Sequence, residues 1–140
     1  MEGRPPVPPA PPTRLVRRLI LGHFELIRAY QAAIHRAAGK CRAGLASLMA
    51  DHEAQARSLV AELIRAGVRP PTAKDVSGEA AGRIAGLKAE REVFQALFAL
   101  EESLASAYRQ AEEAGVTGGF GGPAERHLAW LRERSRPPCC

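Results

Sequence analysis

The stretch Leu48–Ala66, LMADHEAQARSLVAELIRA, decides how this chain is read. On a wheel of 100° per residue, Leu45, Leu48, Ala56, Leu59 and Leu63 fall within about 40° of His52. The segment is an amphipathic helix with a titratable ring in the middle of its apolar stripe. An imidazole in a hydrophobic seam needs a polar partner, and the other helices must supply it. Gly67 follows as a stop glycine and Pro70–Pro71 forbid continuation, so this helix runs from about Cys41 or Arg42 to Ala66.

Upstream, Thr13 is the expected N-cap of a first helix that reaches about Ala38, with Gly39 closing it. Its apolar stripe is Val16, Ile20, His23, Ile27, Tyr30, Ile34 and Ala37, spaced alternately by four and three, which is the seam of a helix bundle. Arg17, Arg18, Glu25, Arg28 and Arg36 fall on the far side, and His35 lies about 120° off the seam. The short turn between these two helices implies an antiparallel hairpin. Val68–Ser77 then reads as a crossover. Around ten residues extended span roughly 30 Å, so the next long helix can run parallel to the second rather than fold straight back.

Glu79 to about Lys88 has a helical pattern weakened by Gly82 and Gly86, and is expected to be loosely held. A third long helix follows to about Ala114, with the stripe Phe94, Leu97, Phe98, Glu101, Leu104, Ala105 and Tyr108, and Gly115 caps it. GVTGGFGG reads as a flexible loop. Pro123 sits at the favoured first position of a short fourth helix that ends near Ser135 and turns His127, Trp130 and Leu131 inward. The fold class is therefore all-α: a four-helix bundle over residues 13–135, a disordered Pro-rich arm over 1–12 and a tail over 136–140.

Composition narrows the function classes. At 140 residues the chain is one domain. Its net charge of +5 is spread between Arg14, Arg17 and Arg18 near one end and Arg132, Arg134 and Arg136 near the other. Aromatic residues do not interleave with basic ones, so no nucleic-acid partner is expected. No run of about 18 apolar residues exists, so stable membrane insertion is not expected either. Leu15–Leu21 is interrupted by Arg17 and Arg18, which argues against a signal peptide and makes the cytoplasm the expected location. Cys41, Cys139 and Cys140 do not make a disulfide framework. No nucleophile–base motif or zinc-finger spacing is present, and TGGFGG lacks the Lys and preceding strand of a phosphate loop. Asp51-His52-Glu53 points in three directions about 100° apart on a helix, so these neighbours cannot share one ion.

What remains is the polar residue at the centre of each stripe: His23, His52, Glu101 and His127. Glu101 is the most telling. Ionised and unpaired among Phe94, Leu97, Phe98 and Leu104, it would cost several kcal/mol. It must be protonated, paired, hydrated or metal-bound. Two readings stay open. The four residues hold one transition-metal ion, for which three imidazoles and a carboxylate suit Zn²⁺, Fe²⁺, Mn²⁺ or Cu²⁺. Alternatively, they form a hydrogen-bonded polar core. His127 reaches Glu101 only if Val116–Gly122 runs back along the third long helix, which about 3.3 Å per residue allows.

His23 and Tyr30 are seven residues apart, and so are Glu101 and Tyr108, within the similar segments ELIRAYQAA (Glu25–Ala33) and ESLASAYRQA (Glu102–Ala111). On these residues the chain, over Leu15–Arg134, resembles the ferritin-like superfamily of four-helix bundles, and in particular a bacterial ferritin-like family of unestablished function. The resemblance implies an antiparallel bundle with a crossover between its second and third helices, built from two related hairpins. In that pattern each half carries an acid with a Tyr seven residues on, and a Glu-x-x-His. This sequence has His23 in place of one acid, His52 and Gln55 at one Glu-x-x-His, and Ala124 and His127 at the other. Glu101 alone of the four carboxylates remains. The resemblance thus implies a metal site of His23, His52, Glu101 and His127, surrounded by Tyr30, Gln55 and Tyr108, holding one ion of Fe, Zn or Mn rather than a di-iron centre. A different class of function is a helical module that homodimerises or docks a partner helix, for which Leu21, Leu26, Val93 and Leu100 offer a second apolar face. An active di-iron oxidoreductase lacks its carboxylates.

Overall fold

A computed structural model describes residues 11–37, 39–116 and 120–135. These residues form helices α1 (Pro11–Arg36), α2 (Gly39–Arg65), α3 (Glu79–Gly86), α4 (Glu90–Glu113) and α5 (Gly121–Arg134), with a 3₁₀ turn at Ala73–Asp75. No strand occurs among them. The chain is all-helical, as its periodicity predicts. The first helix begins earlier than Thr13, because Pro11 and Pro12 fit a first turn whose N–H groups have no helical acceptor. The rest of the expected arm, and the expected tail, lie outside the described residues. Gly39 has φ +58° and opens α2 rather than merely closing α1.

Two helices stop by the same device. At the end of α2, Gly67 has φ +74° and the Val68 N–H donates to the Leu63 carbonyl at 2.9 Å. At the end of α4, Gly115 has φ +84° and the Val116 N–H donates to the Ala111 carbonyl at 2.9 Å. A left-handed residue is what turns the chain back on those carbonyls, and glycine adopts it without a Cβ clash. Both stops fall where the sequence places them. Helix α5, by contrast, starts two residues before its expected first position, so that Pro123 sits third, still within the turn whose N–H groups lack helical acceptors.

Helix α1 is the element on which the others pack: α2, α3 and α4 all contact it, and α5 packs on α4. Arg18 lies beside Gln110, and Tyr30 beside Glu101, so α1 and α4 run in opposite directions. Tyr108 meets Phe120 and Phe94 meets Trp130, which makes α4 and α5 antiparallel as well. The His23–His52 contact pairs α1 and α2 as a hairpin. Helices α2 and α4 are therefore parallel, and the segment between them crosses the length of the bundle.

That crossover is strapped to α1 by arginines that the wheel assigns to solvent. The Arg17 guanidinium donates to the Arg69 carbonyl, and Arg28 donates to Val76 at 3.4 Å. Arg36 reaches the carbonyls of Ile84 at 2.9 Å and Lys88 at 3.3 Å, satisfying the open end of α3. The expected looseness of Glu79–Lys88 is corrected: Ala80 and Ile84 are buried and α3 is a defined helix lying on α1. Its weak propensity is overridden by packing, since Gly82 and Gly86 both sit on the exposed side. This extra partner also widens the buried face of α1. Leu19, Leu26, Ala29 and Ala33 join the core, while Ile27 and Ile34 of the expected stripe are only half-buried.

The 3₁₀ turn pins the middle of the crossover, with the Thr72 N–H donating to Asp75 Oδ2 at 2.7 Å. Cys41 is buried at the start of α2 and is disulfide-bonded; the other two cysteines lie outside the described residues. No helix among the described residues is long and apolar enough to cross a membrane.

Candidate metal centre

The buried polar residues of the core are His23, His52, Glu101 and His127, the four that interrupt the apolar stripes. Exposed His35 is not among them. They come from four different helices, α1, α2, α4 and α5, and meet in one layer. Phe120, ahead of α5, stacks on Tyr108 of α4 with ring centroids 5.7 Å apart. The antiparallel placement of α5 on α4 brings His127 level with Glu101.

Glu101 is the hub. Its Oε2 accepts from the Tyr30 hydroxyl at 2.5 Å, from His52 Nε2 at 2.7 Å and from His127 Nδ1 at 3.0 Å. Its Oε1 is buried with no hydrogen-bond partner among the described residues. Burial pushes the Glu101 carboxyl up, but the hydrogen bonds from His127 and His52, with their charge, outweigh it and hold the group down at about 2. Glu101 is therefore a carboxylate, and short contacts such as that from Tyr30 suit an ionised acceptor. The Tyr30 hydroxyl is pushed up by burial and by the Glu101 charge, so it stays a donor.

The chain of contacts extends in both directions. Burial lowers His127, but hydrogen bonds to Glu101 and to Asp51 more than offset that and raise it overall. Its second nitrogen, Nε2, lies 2.9 Å from Asp51 Oδ2. With a carboxylate on each nitrogen, His127 donates from both as an imidazolium. On the other side, His52 Nδ1 lies 2.8 Å from His23 Nδ1, and His23 Nε2 lies 2.6 Å from the Tyr108 hydroxyl. Burial, reinforced by His52 and His127, lowers His23 to about 3, so it is neutral. One set of tautomers satisfies all of these contacts with His23 and His52 neutral. His52 donates from Nε2 to Glu101, His23 donates from Nδ1 to His52, and Tyr108 donates to His23 Nε2. The Gln55 side chain hydrogen-bonds Tyr108 in turn, and burial pushes that phenol up.

The two tyrosines pair reciprocally: Tyr30 of α1 with Glu101 of α4, and Tyr108 of α4 with His23 of α1. The shared seven-residue spacing is thus used twice, in opposite directions.

Ligand geometry selects three of the four stripe residues. His52, Glu101 and His127 each offer a donor atom, and these atoms lie within 4.8 Å of one another. His23 is not in this set; it bonds to the far nitrogen of His52 and braces that ring. Tyr30 touches the hub directly, while Gln55 and Tyr108 extend the chain beyond His23. Two residues of the centre escape the sequence reading. Asp51, which the sequence reading leaves out of any ion shared with His52, braces His127 across the gap to α5. Phe120 is buried, and its ring lies 4.9 Å from His23, 5.1 Å from His52 and 5.4 Å from His127 between centroids. A lone aromatic among glycines is the signal that marks it.

The expected apolar docking face is smaller than the sequence suggests. Leu26 and Val93 belong to the core, and Leu21 and Leu100 are half-buried along a groove between α1 and α4. No known protein family, curated protein or solved structure matches the chain.

Proposed function

We propose that this protein is a ferritin-like helical bundle that binds a single divalent transition-metal ion through His52, Glu101 and His127. One observation carries the reading: Glu101 Oε1 is buried with no partner among the described residues, on a carboxylate whose other oxygen takes three hydrogen bonds. A buried oxygen left without a donor costs about 1–3 kcal/mol, and a cation satisfies it. Two imidazoles and a carboxylate are a donor set for Zn²⁺, Fe²⁺ or Mn²⁺. Both histidines have the outer partners that such ligands use: Asp51 on His127 Nε2 and His23 on His52 Nδ1. Such an ion, when bound, would supply a Lewis acid held by these three residues.

The residues themselves accommodate the change. His127 would give up its Nδ1 proton to solvent on metal binding and keep the Nε2 proton on Asp51; for His52 Nε2 to offer its lone pair, its proton moves to Nδ1, and His23 turns from donor to acceptor. His23 Nε2 then donates to Tyr108, and Tyr108 donates to Gln55, whose amide carries both donors and an acceptor. With one carboxylate in place of four, the centre is read as a mononuclear, non-catalytic site rather than a di-iron oxidoreductase. The reading as a docking module is weaker, since Leu26 and Val93 are used in the core.

Elemental analysis of untagged protein tests the proposal. About one equivalent of metal is expected in the native chain and none in a His52→Ala, Glu101→Ala double variant. Equal, substoichiometric metal in both would refute it.

A further inference from the structure

A buried centre needs a way in. A pocket of about 240 Å³ between α4 and α5 is walled by Ala105, Tyr108, Phe120, Ala124 and Leu128, with Arg109, Glu112 and Glu125 as its charged lining. Two of those walls, Tyr108 and Phe120, also belong to the histidine layer. Phe120 lines the pocket, and its ring also lies within 5.4 Å of the imidazoles of His23, His52 and His127 between centroids. The ring is itself buried and packs on Tyr108 with centroids 5.7 Å apart, so passage from the pocket to the imidazoles requires it to move.

The opposite approach, past Asp51, is obstructed. His127 spans it, with Nε2 on Asp51 at 2.9 Å and Nδ1 on Glu101 at 3.0 Å. An ion arriving there meets the wrong nitrogen and would have to displace the whole ring. Glu112, Glu125 and Arg109 line the α4–α5 pocket instead; two carboxylates against one guanidinium leave its charged lining net negative, which favours cations.

We propose that the pocket between α4 and α5 is the port by which a divalent cation reaches His52, Glu101 and His127, with the Phe120 side chain as its shutter. This rests on the metal reading above, and it makes a separate, kinetic claim. Opening is a side-chain rotation, so the size of the ring sets the rate of entry and leaves the ligand set intact. A smaller side chain speeds uptake and release together, whereas a larger one slows both.

The test is stopped-flow uptake of Co²⁺, followed by visible absorption, with stoichiometry from equilibrium titration. Phe120→Ala is expected to speed uptake, and Phe120→Trp to slow it, each by about tenfold or more, which is about 1.4 kcal/mol of barrier. Ala105→Trp, which fills the pocket from its α4 wall, is also expected to slow uptake. All three should keep the native stoichiometry. Should Phe120→Ala fail to fold, Phe120→Trp and Ala105→Trp decide the question alone. Unchanged rates in both of those variants would overturn the port while leaving the metal site standing. Slowing confined to Asp51→Asn would move the entrance to the α2 side and overturn it equally. Absence of Co²⁺ from the native chain would remove the metal reading, and the port with it.

Discussion

Replacing Glu101 by Leu removes the acceptor on which three buried donors converge. Tyr30, His52 and His127 all bond to Glu101 Oε2. Each buried polar group left without a partner costs about 1–3 kcal/mol, so the gross penalty is roughly 3–9 kcal/mol. The imidazolium of His127 also loses one of its two carboxylates. Relief from burying a charge offsets part of this, and the expected net loss is at least about 3 kcal/mol, a large share of the ~5–15 kcal/mol that holds a domain together. Urea unfolding at neutral pH in the presence of a chelator, followed by far-ultraviolet circular dichroism, isolates this term from any metal. With a slope of about 1–3 kcal/mol per molar, the midpoint should fall by about 1 M or more. A midpoint within about 0.3 M of the parent would refute the view that Glu101 is the hub. A second-step test is sharper. In the Glu101→Leu background the Tyr30 hydroxyl has nothing to bond, so adding Tyr30→Phe should be neutral or stabilising. In the native background it should cost about 1 kcal/mol.

Stability should fall as pH drops from about 6.5 towards 3, because the unfolded chain takes up a proton that His23, lowered to about 3 by burial, refuses. Glu101 adds to the loss between its ordinary value of 4.5 and about 2. His127, raised, works the other way: its contribution is present below 6.5 and fades as pH rises through its folded value, so a flat acid limb in the unfolding midpoints would contradict the layer. A Cβ at Gly44 would overlap the Trp130 ring, so Gly44→Ala should cost about 1–3 kcal/mol and shift the emission of the single tryptophan, which unchanged fluorescence would disprove. Arg36→Ala should strip hydrogen-exchange protection from α3 while sparing α2, since Arg36 holds the carbonyls at the end of α3.

The helices were legible because their signals are local. Gly67 and Gly115 stop α2 and α4 as the stop-glycine pattern demands. The four polar residues of the layer were legible because each breaks an apolar stripe. Asp51 and Phe120 were not. Asp51 lies one position from His52 on α2, and only the placement of α5 gives it a partner. Phe120 sits in no periodic element, and its burial depends on how α5 is placed against α4. The arginines of α1 were read as solvated because a wheel sees one helix, whereas Arg17, Arg28 and Arg36 bond to a segment some fifty residues away. The added buried face of α1 was hidden for the same reason: α3 had to be in place first.

The polar layer has a consequence for how uniquely the chain folds. Leu, Ile and Ala side chains are interchangeable partners, and a core made only of them tolerates a helix that slides by one turn, about 5.4 Å. Such a slip of α1 would part His23 from His52 and from Tyr108, and Tyr30 from Glu101, all in a single step. The buried groups so released would each lack a partner, with no water at hand to replace it. The layer thereby acts as a register pin, singling out one alignment among several that the apolar residues alone would accept.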